Sequence, residues 1–303
     1  MGRVCHGRSP IVTAPLAGGN GRPAGRAIVH PPEGAGTEGI IQAQNQRYWQ
    51  VFFEIHSNLP REAPGDEPSA RRALLALKEL PPDPLVLDLG CGPGSATTLL
   101  ARETGGRVVG LDRHAPFVRE VRPRAHGDGL EERVHAVIGD MTMLPFAPRT
   151  FDLVWSEGAL YSVGFDRGLR IARDQLRAGG CLVATEAVWL EAEPPDEIRR
   201  WWEGEYPDIS SVEARLEVIA GAGLATLDHF TLPGGAWEEY YRPLERRIEE
   251  LRKRHTGDPF ALGVLDEARV EIDMWRRFGG SYGYELFVCR RPEDPTPTRH
   301  GPV

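Results

Sequence analysis

The apolar positions of this chain fall in short runs separated by stretches of helical period. Val86, Leu87 and Leu89 form a run that reads as a strand buried on both faces, and Ala96, Leu99 and Leu100 follow at helical spacing. Residues 107–111 (RVVGL), 134–138, 151–156 (FDLVWS) and 182–185 read as further strands, with helical segments over 116–124 and 166–176. Gly105-Gly106 stops the helix of Ala96, Leu99 and Leu100, and Gly179-Gly180 suits the exit from a helix into the fifth strand. Strands alternating with helices predict an α/β fold, a parallel sheet with helices on both faces.

The flanks are helical. Tyr48, Val51, Phe52 and Ile55 share one face, widened by Trp49 and Phe53, and a second helix over 68–80 ends at Pro81-Pro82. Both precede the glycine strand and are expected to cap its carboxyl end. After the fifth strand come a short helix with Trp201-Trp202, a helix over 210–222 and a sixth strand over 224–232. Tyr241, Leu244, Ile248 and Leu251 then mark one helix, begun by Pro243, and Leu265, Ala268, Ile272 and Trp275 a second, with Gly257-Asp258-Pro259 turning between them. Residues 283–289 supply a last strand. The helical insertion at 234–280 reads as a lid over the sheet edge. Residues 1–40, rich in Gly, Pro and Arg and without apolar period, read as a disordered tail, and the chain frays after 290, with 293–303 a disordered tail. One domain over 41–292, with cap helices at 41–81, is expected.

Composition narrows the function classes. A formal net charge of -8, from 44 acidic against 36 basic residues, argues against a nucleic-acid partner. Cys5, Cys91, Cys181 and Cys289 form no CxxC pair and no metal-ligand spacing, so reduced thiols and no metal are expected. With no apolar run near the ~18 residues of a membrane span and no basic-then-apolar leader, a soluble cytoplasmic protein is expected.

The chemistry concentrates at the ends of the strands. Gly90, Gly92 and Gly94 join an apolar strand to a helix, where missing Cβ atoms let a ligand approach backbone N–H groups. Asp112 ends the second strand eighteen residues after Gly94, a position suited to ribose hydroxyls. Asp88, Asp112, Asp140 and Glu157 all lie near carboxyl ends of strands, where open parallel sheets bind ligands.

In these stretches the chain resembles the class I S-adenosylmethionine-dependent methyltransferases, of a bacterial small-molecule type. The likeness covers about residues 41–292 through VLDLGCGPG (86–94), VVGLDRH (108–114), VIGDMTMLPF (137–146), FDLVWSEGALY (151–161) and LRAGGCLVATEAVW (176–189). The resemblance implies a Rossmann-like seven-stranded sheet of order 3-2-1-4-5-7-6 with its last strand antiparallel, and S-adenosyl-L-methionine as cofactor. It also implies roles. Gly90, Cys91, Gly92 and Gly94 would border the methionine moiety, with Asp88 facing its amino group and Ser156 close by. Asp112 would hold the ribose hydroxyls, Arg113 would lie beside the adenine, and Asp140 would accept from the adenine amine next to Met141. Ser156-Glu157-Gly158-Ala159 departs from the Asn/Asp-Pro-Pro-Tyr of nucleic-acid adenine enzymes.

Methyl transfer to an O or N atom of a small molecule is the reaction expected. Glu157 is the first candidate for a base and His229 the second, with Tyr161 orienting the acceptor. Glu157 holding only a loop or the cofactor, and His229 merely packed, are the alternatives. Trp201, Trp202, Trp237, Tyr240 and Tyr241 either form core or line a pocket for an aromatic or apolar acceptor. Two other classes stand beside this reading. A nicotinamide oxidoreductase would want GxGxxG, whereas here Gly94 follows Gly92 by two and position 95 is Ser. A non-catalytic cofactor-binding sensor would bind without turnover. A monomer or homodimer without a membrane partner is expected.

Overall fold

A computed structural model describes residues 37–78 and 80–294. The elements are α1 (Thr37–Ile55), α2 (Glu67–Ala76), β1 (Leu85–Leu89), α3 (Ser95–Thr104), β2 (Arg107–Asp112), α4 (Ala115–Gly127), β3 (Val134–Ile138), β4 (Phe151–Ser156), a 3-10 turn at Leu160–Val163, α5 (Phe165–Gln175) and β5 (Leu176–Trp189). They continue as α6 (Asp196–Glu205), β6 (Ser210–Ser211), α7 (Val212–Gly221), β7 (Ala225–Thr231), α8 (Gly234–Arg254), α9 (Pro259–Phe278) and β8 (Tyr282–Arg290).

The strands form one sheet of order β3-β2-β1-β4-β5-β8-β7, with the short β6 paired to β5. β1 runs parallel to β2 and β4, β2 to β3 and β4 to β5, while β7 and β8 are antiparallel. This is the α/β sheet with one antiparallel strand that the sequence led us to expect. The chain order reverses between β1 and β4, the position at which open parallel sheets bind ligands, at the carboxyl ends of the strands. Val86, Leu87 and Leu89 are fully buried, which explains why β1 lacks any polar alternation apart from Asp88.

The chain divides into two compact units. Among the described residues, the sheet unit comprises 66–186, 213–231 and 285–294, and the helical unit comprises 37–65, 187–212 and 232–284. Within the sheet unit, Asp66 caps α2 by accepting from Ser69 N–H at 2.7 Å, and the Arg72 guanidinium lies 3.8 Å from the Phe230 ring of β7. α2, expected as a cap helix, therefore belongs to the sheet unit. Within the helical unit α1, α8 and α9 pack on one another. Glu54 of α1 accepts from Arg254 at 2.7 Å and pairs with His255 at 3.0 Å, and Asp258 caps α9 by accepting from Ala261 N–H at 3.1 Å. No helix among the described residues is long and apolar enough to cross a membrane.

Four expectations need correction. Pro243 lies inside α8 and does not begin it. Its missing donor is tolerated because Trp237, Tyr240 and Tyr241 are buried and hold the turns before it. The fifth strand spans Leu176–Trp189, and Gly179-Gly180 lies within it. There Gly179 takes φ +72 and the register against β4 shifts between Phe151 and Leu153, so the glycines make a bulge. α1 begins at Thr37, inside the stretch read as a tail; residues 1–36 lie outside the described residues. The chain after β8 is pinned as far as Asp294, because Arg291 N–H donates to Gly180 O at 2.8 Å and Arg149 pairs with Asp294 at 2.8 Å; 295–303 lie outside the described residues.

A test of the packing follows from two glycines. A Cβ on Gly106 would overlap the carbonyl oxygen of Pro84, whereas one on Gly127, at the end of α4, meets nothing within 4 Å. Gly106→Ala should cost about 1–3 kcal/mol in urea denaturation, and Gly127→Ala should be neutral or stabilising by up to about 1 kcal/mol.

Candidate functional site

The site is built on the loop leaving β1. Gly90, Gly92 and Gly94 take φ of +81, +52 and +89, a region L side chains avoid. Space imposes glycine as well: a Cβ on Gly90 would overlap the Cβ of Ala159, and one on Gly94 would lie 3.0 Å from Val121 Cγ2. The expected exposure of the loop's N–H groups is not what the fold does. Gly90 and Cys91 N–H both donate to Leu111 O, Gly94 N–H donates to Cys91 O, and Gly92 N–H donates to Asp112 Oδ2 at 3.0 Å. The glycines thus serve close approach of neighbouring loops, and their donors brace the loop against β2.

The carboxylates converge around that loop. Asp88 is 1% exposed and accepts from Thr97 Oγ1 at 2.6 Å. Burial pushes its carboxyl up to about 7, opposed by the Thr97 hydrogen bond and reinforced by the negative charges of Glu157 and Asp112. Asp112 is held at both oxygens, since Gly92 N–H donates to Oδ2 and His114 N–H donates to Oδ1 at 2.7 Å. Burial raises its carboxyl too, against these two hydrogen bonds and the Arg113 charge. Asp140 accepts from both the N–H and the hydroxyl of Thr142 at 2.7 Å, and these bonds, aided by the Arg113 charge, hold its carboxyl below the usual range. Arg113 therefore acts on both Asp112 and Asp140.

Glu157, just past β4, accepts from Trp155 Nε1 at 2.9 Å, and Gly158 N–H donates to Thr185 Oγ1 at 2.8 Å. Ser162 Oγ in the same loop lies 4.0 Å from Met141 Sδ, so the loops after β1, β3 and β4 meet at Gly90, Met141 and Ala159. Tyr161 is buried in the 3-10 turn, its carbonyl accepting from Gly164 N–H.

Three further candidate residues have structural partners of their own. Ser156 is fully buried and donates to Leu89 O at 2.7 Å, so its hydroxyl ties β4 to the end of β1. Cys91 is buried against Gly110 of β2, where a Cβ would lie 2.9 Å from Cys91 Sγ. Burial and the nearby Asp88 and Asp112 push its thiol well up, which keeps it protonated and inert. His229 stands on β7, three strands from β4, or about 14 Å at the usual strand spacing. There its Nδ1 pairs with Glu285 at 2.6 Å, and Thr231 donates to the same carboxylate at 2.6 Å. The structure does not bring it to Glu157.

The sequence reading missed Thr97, Gly110, Trp155 and Thr185. Trp155 had a signal, since strand period 2 sets it on the same face as Glu157. Thr97 had none, because only the fold brings the first turn of α3 to Asp88. No group of three His, Cys, Asp or Glu side chains among the described residues could hold a metal ion.

Residues 86–180 match a family described as a methyltransferase domain. The chain is 36% identical over 104 residues to Methyltransferase GfsG of Streptomyces halstedii, covering 34% of this chain and 37% of that protein. It is 33% identical over 217 residues to the Sarcosine/dimethylglycine N-methyltransferase of Halorhodospira halochloris, covering 68% of this chain and 74% of that protein. The matched curated relatives are spanned over 30% to 77% of their length. In fold it is similar to a SAM-dependent methyltransferase from Geobacter sulfurreducens in complex with S-adenosyl-L-homocysteine, with a TM-score of 0.70 at 20% identity, over 79% of this chain and 97% of that one.

The raised Asp88 carboxyl makes a stability prediction. In the folded protein it holds its proton up to about pH 7, while in the unfolded chain it releases it near 3.8, so stability falls as pH rises across that window. Asp88→Asn keeps an acceptor for Thr97 but removes the charge. In the ligand-free protein it should gain about 2–4 kcal/mol over wild type on going from pH 5 to pH 8, read by urea denaturation. A constant difference between the two proteins would show that Asp88 ionises normally.

Proposed function

The chain belongs to the class I S-adenosylmethionine-dependent methyltransferases, and from that premise we propose that it moves a methyl group to an oxygen or nitrogen of a small-molecule acceptor. The observation that carries the reading is the convergence of Asp88, Asp112, Asp140 and Glu157 at the ends of β1 to β4, around a loop whose donors are already used. A site with four acidic side chains and no spare backbone donor in that loop suits a ligand with cationic groups and hydroxyls, and it does not suit a pyrophosphate. S-adenosylmethionine fits on both counts, and a nicotinamide dinucleotide does not.

When bound, the cofactor supplies an electrophilic sulfonium methyl. The protein's own residues bind, orient and take a proton. Asp112 is pre-set for two hydroxyls, since one lone pair on each oxygen is committed to Gly92 and His114 and the others remain. Asp88 opposes the amino group, whose charge offsets the burial that now holds its proton on. Asp140 accepts from the adenine amine, with Arg113 and Met141 beside it. Gly90, Gly92 and Gly94 keep the loop low enough for Ala159 to approach. Glu157, oriented by the Trp155 indole, takes the acceptor's proton, and Tyr161 helps fix the acceptor. In-line displacement needs little else beyond alignment and exclusion of water.

Within the helical unit the aromatic side chains Trp202, Trp237, Tyr240 and Tyr241 are buried. The name of the Halorhodospira relative, a sarcosine/dimethylglycine N-methyltransferase, supports a small acceptor.

Calorimetry with S-adenosylmethionine and with NAD tests the cofactor, and binding of NAD alone would end the reading. Asp112→Ala should weaken cofactor binding by about 1.5–3 kcal/mol, the loss of a charge-assisted hydrogen-bonding group. Glu157→Gln should lower turnover while cofactor affinity stays within about 1 kcal/mol. Transfer of a radiolabelled methyl group to small metabolites reads turnover. Tight cofactor binding without transfer to any acceptor would favour the sensor.

A further inference from the structure

The helical unit holds a second group of buried polar side chains. Glu271 of α9 is buried and accepts from Tyr241 Oη of α8 at 3.0 Å. The basic group that acts on it is His56, just after α1. His56 is itself buried, pairs through Nδ1 with Glu62 at 2.7 Å, and is pushed by burial down to about 4. It is therefore neutral near pH 7 and brings no positive charge. Burial also pushes the Glu271 carboxyl up to about 7. A buried carboxyl with one hydroxyl donor and no ion-pair partner among the described residues is an expensive feature for a core, where an apolar residue would serve better.

A chain of aromatic rings continues from Tyr241. Tyr241 packs against Trp275 at 5.5 Å between ring centroids, Trp275 stacks on Trp237 at 5.8 Å, and Trp237 meets Tyr282 at 5.8 Å. Tyr282 in turn meets Trp202 at 5.0 Å. Tyr282 Oη and Trp202 Nε1 are buried, and neither has a hydrogen-bond partner among the described residues. Tyrosine and tryptophan usually find a partner when buried, so two unpartnered polar atoms on touching rings call for an acceptor atom from outside the protein. Burial pushes the Tyr282 hydroxyl well up, and the Glu271 charge adds to it, which links the two halves of the group electrostatically.

We propose that this cluster is a binding subsite for a small amine carrying a hydrogen-bond acceptor, with its cationic nitrogen against Glu271 and the Tyr241 ring, and its acceptor atom toward Trp202 Nε1 and Tyr282 Oη. Aromatic faces beside a carboxylate are the chemistry that recognises an alkylated ammonium. An aromatic or apolar acceptor, by contrast, would leave the carboxylate and both donors uncompensated. That this amine is the methyl acceptor rests on the methyltransferase reading; that it binds here does not.

The test uses calorimetry on the full chain with dimethylglycine, dimethylaminoethanol and tetramethylammonium, each against its neutral-carbon isostere, in which carbon replaces the charged nitrogen. S-adenosylhomocysteine is titrated in parallel. At least one amine should bind at least tenfold more tightly than its isostere. Glu271→Gln should abolish that preference, and Tyr282→Phe should weaken binding several-fold for the probes bearing an acceptor atom, with S-adenosylhomocysteine affinity unchanged in both. Equal binding of amine and isostere, binding of no probe, or a folded Glu271→Gln that keeps the preference would overturn the proposal. If Glu271→Gln does not fold, the isostere comparison and Tyr282→Phe decide it. Loss of S-adenosylhomocysteine binding in the wild type, with the amine preference intact, would remove the cofactor reading and leave the subsite standing.

Discussion

A carboxylic acid buried at the end of a parallel strand is costly, and Asp88 is 1% exposed. It is held by one hydroxyl from Thr97, with the charges of Asp112 and Glu157 acting against its ionisation. An apolar residue at 88 would pack between the strands without that penalty. The arrangement makes sense as a site waiting for positive charge, and the neighbouring elements are built to keep it in place. Ser156 ties β4 to the last carbonyl of β1, and Gly90 and Cys91 tie the loop to the last apolar residue of β2. Gly110 leaves room for the Cys91 side chain.

The same economy governs Asp112 and Glu157. Each is gripped by groups that cannot easily move: two backbone N–H groups for Asp112 and a fully buried indole for Glu157. Side chains fixed in this way lose little further freedom on binding, which is what preorganisation requires. The helical unit repeats the theme in a different chemistry. Glu271 is buried and accepts from Tyr241, whose ring packs on Trp275, and burial pushes the nearby His56 down to about 4.

Much of this was legible in the sequence, because the sheet unit announces itself locally. The runs at 86–89, 107–111, 134–138 and 151–156 are strands because they are apolar and short, and the helices between them carry ordinary stops such as Gly105, which caps α3 at φ +72. The acidic residues were found because they sit at strand ends, a position the alternation itself defines. What was not legible depends on contacts between distant residues. Thr97 meets Asp88 only after α3 folds back, and the Ser156 hydroxyl meets Leu89 only when β1 and β4 pair. His229 was read as a second candidate base from its strand alone, whereas β7 lies three strands from β4 and its Nδ1 pairs with Glu285. Pro243 was misjudged because local propensity was outweighed by the burial of Trp237 and Tyr241.

The most direct test is proton exchange on cofactor binding. Titrations of S-adenosylmethionine near pH 7, in buffers of different ionisation enthalpy, count the protons released or taken up. If the cofactor's positive charge is what the Asp88 cluster awaits, binding releases a fraction of a proton, affinity rises with pH through about 7, and Asp88→Asn abolishes the release. Binding with no proton release, or with net uptake, would contradict it.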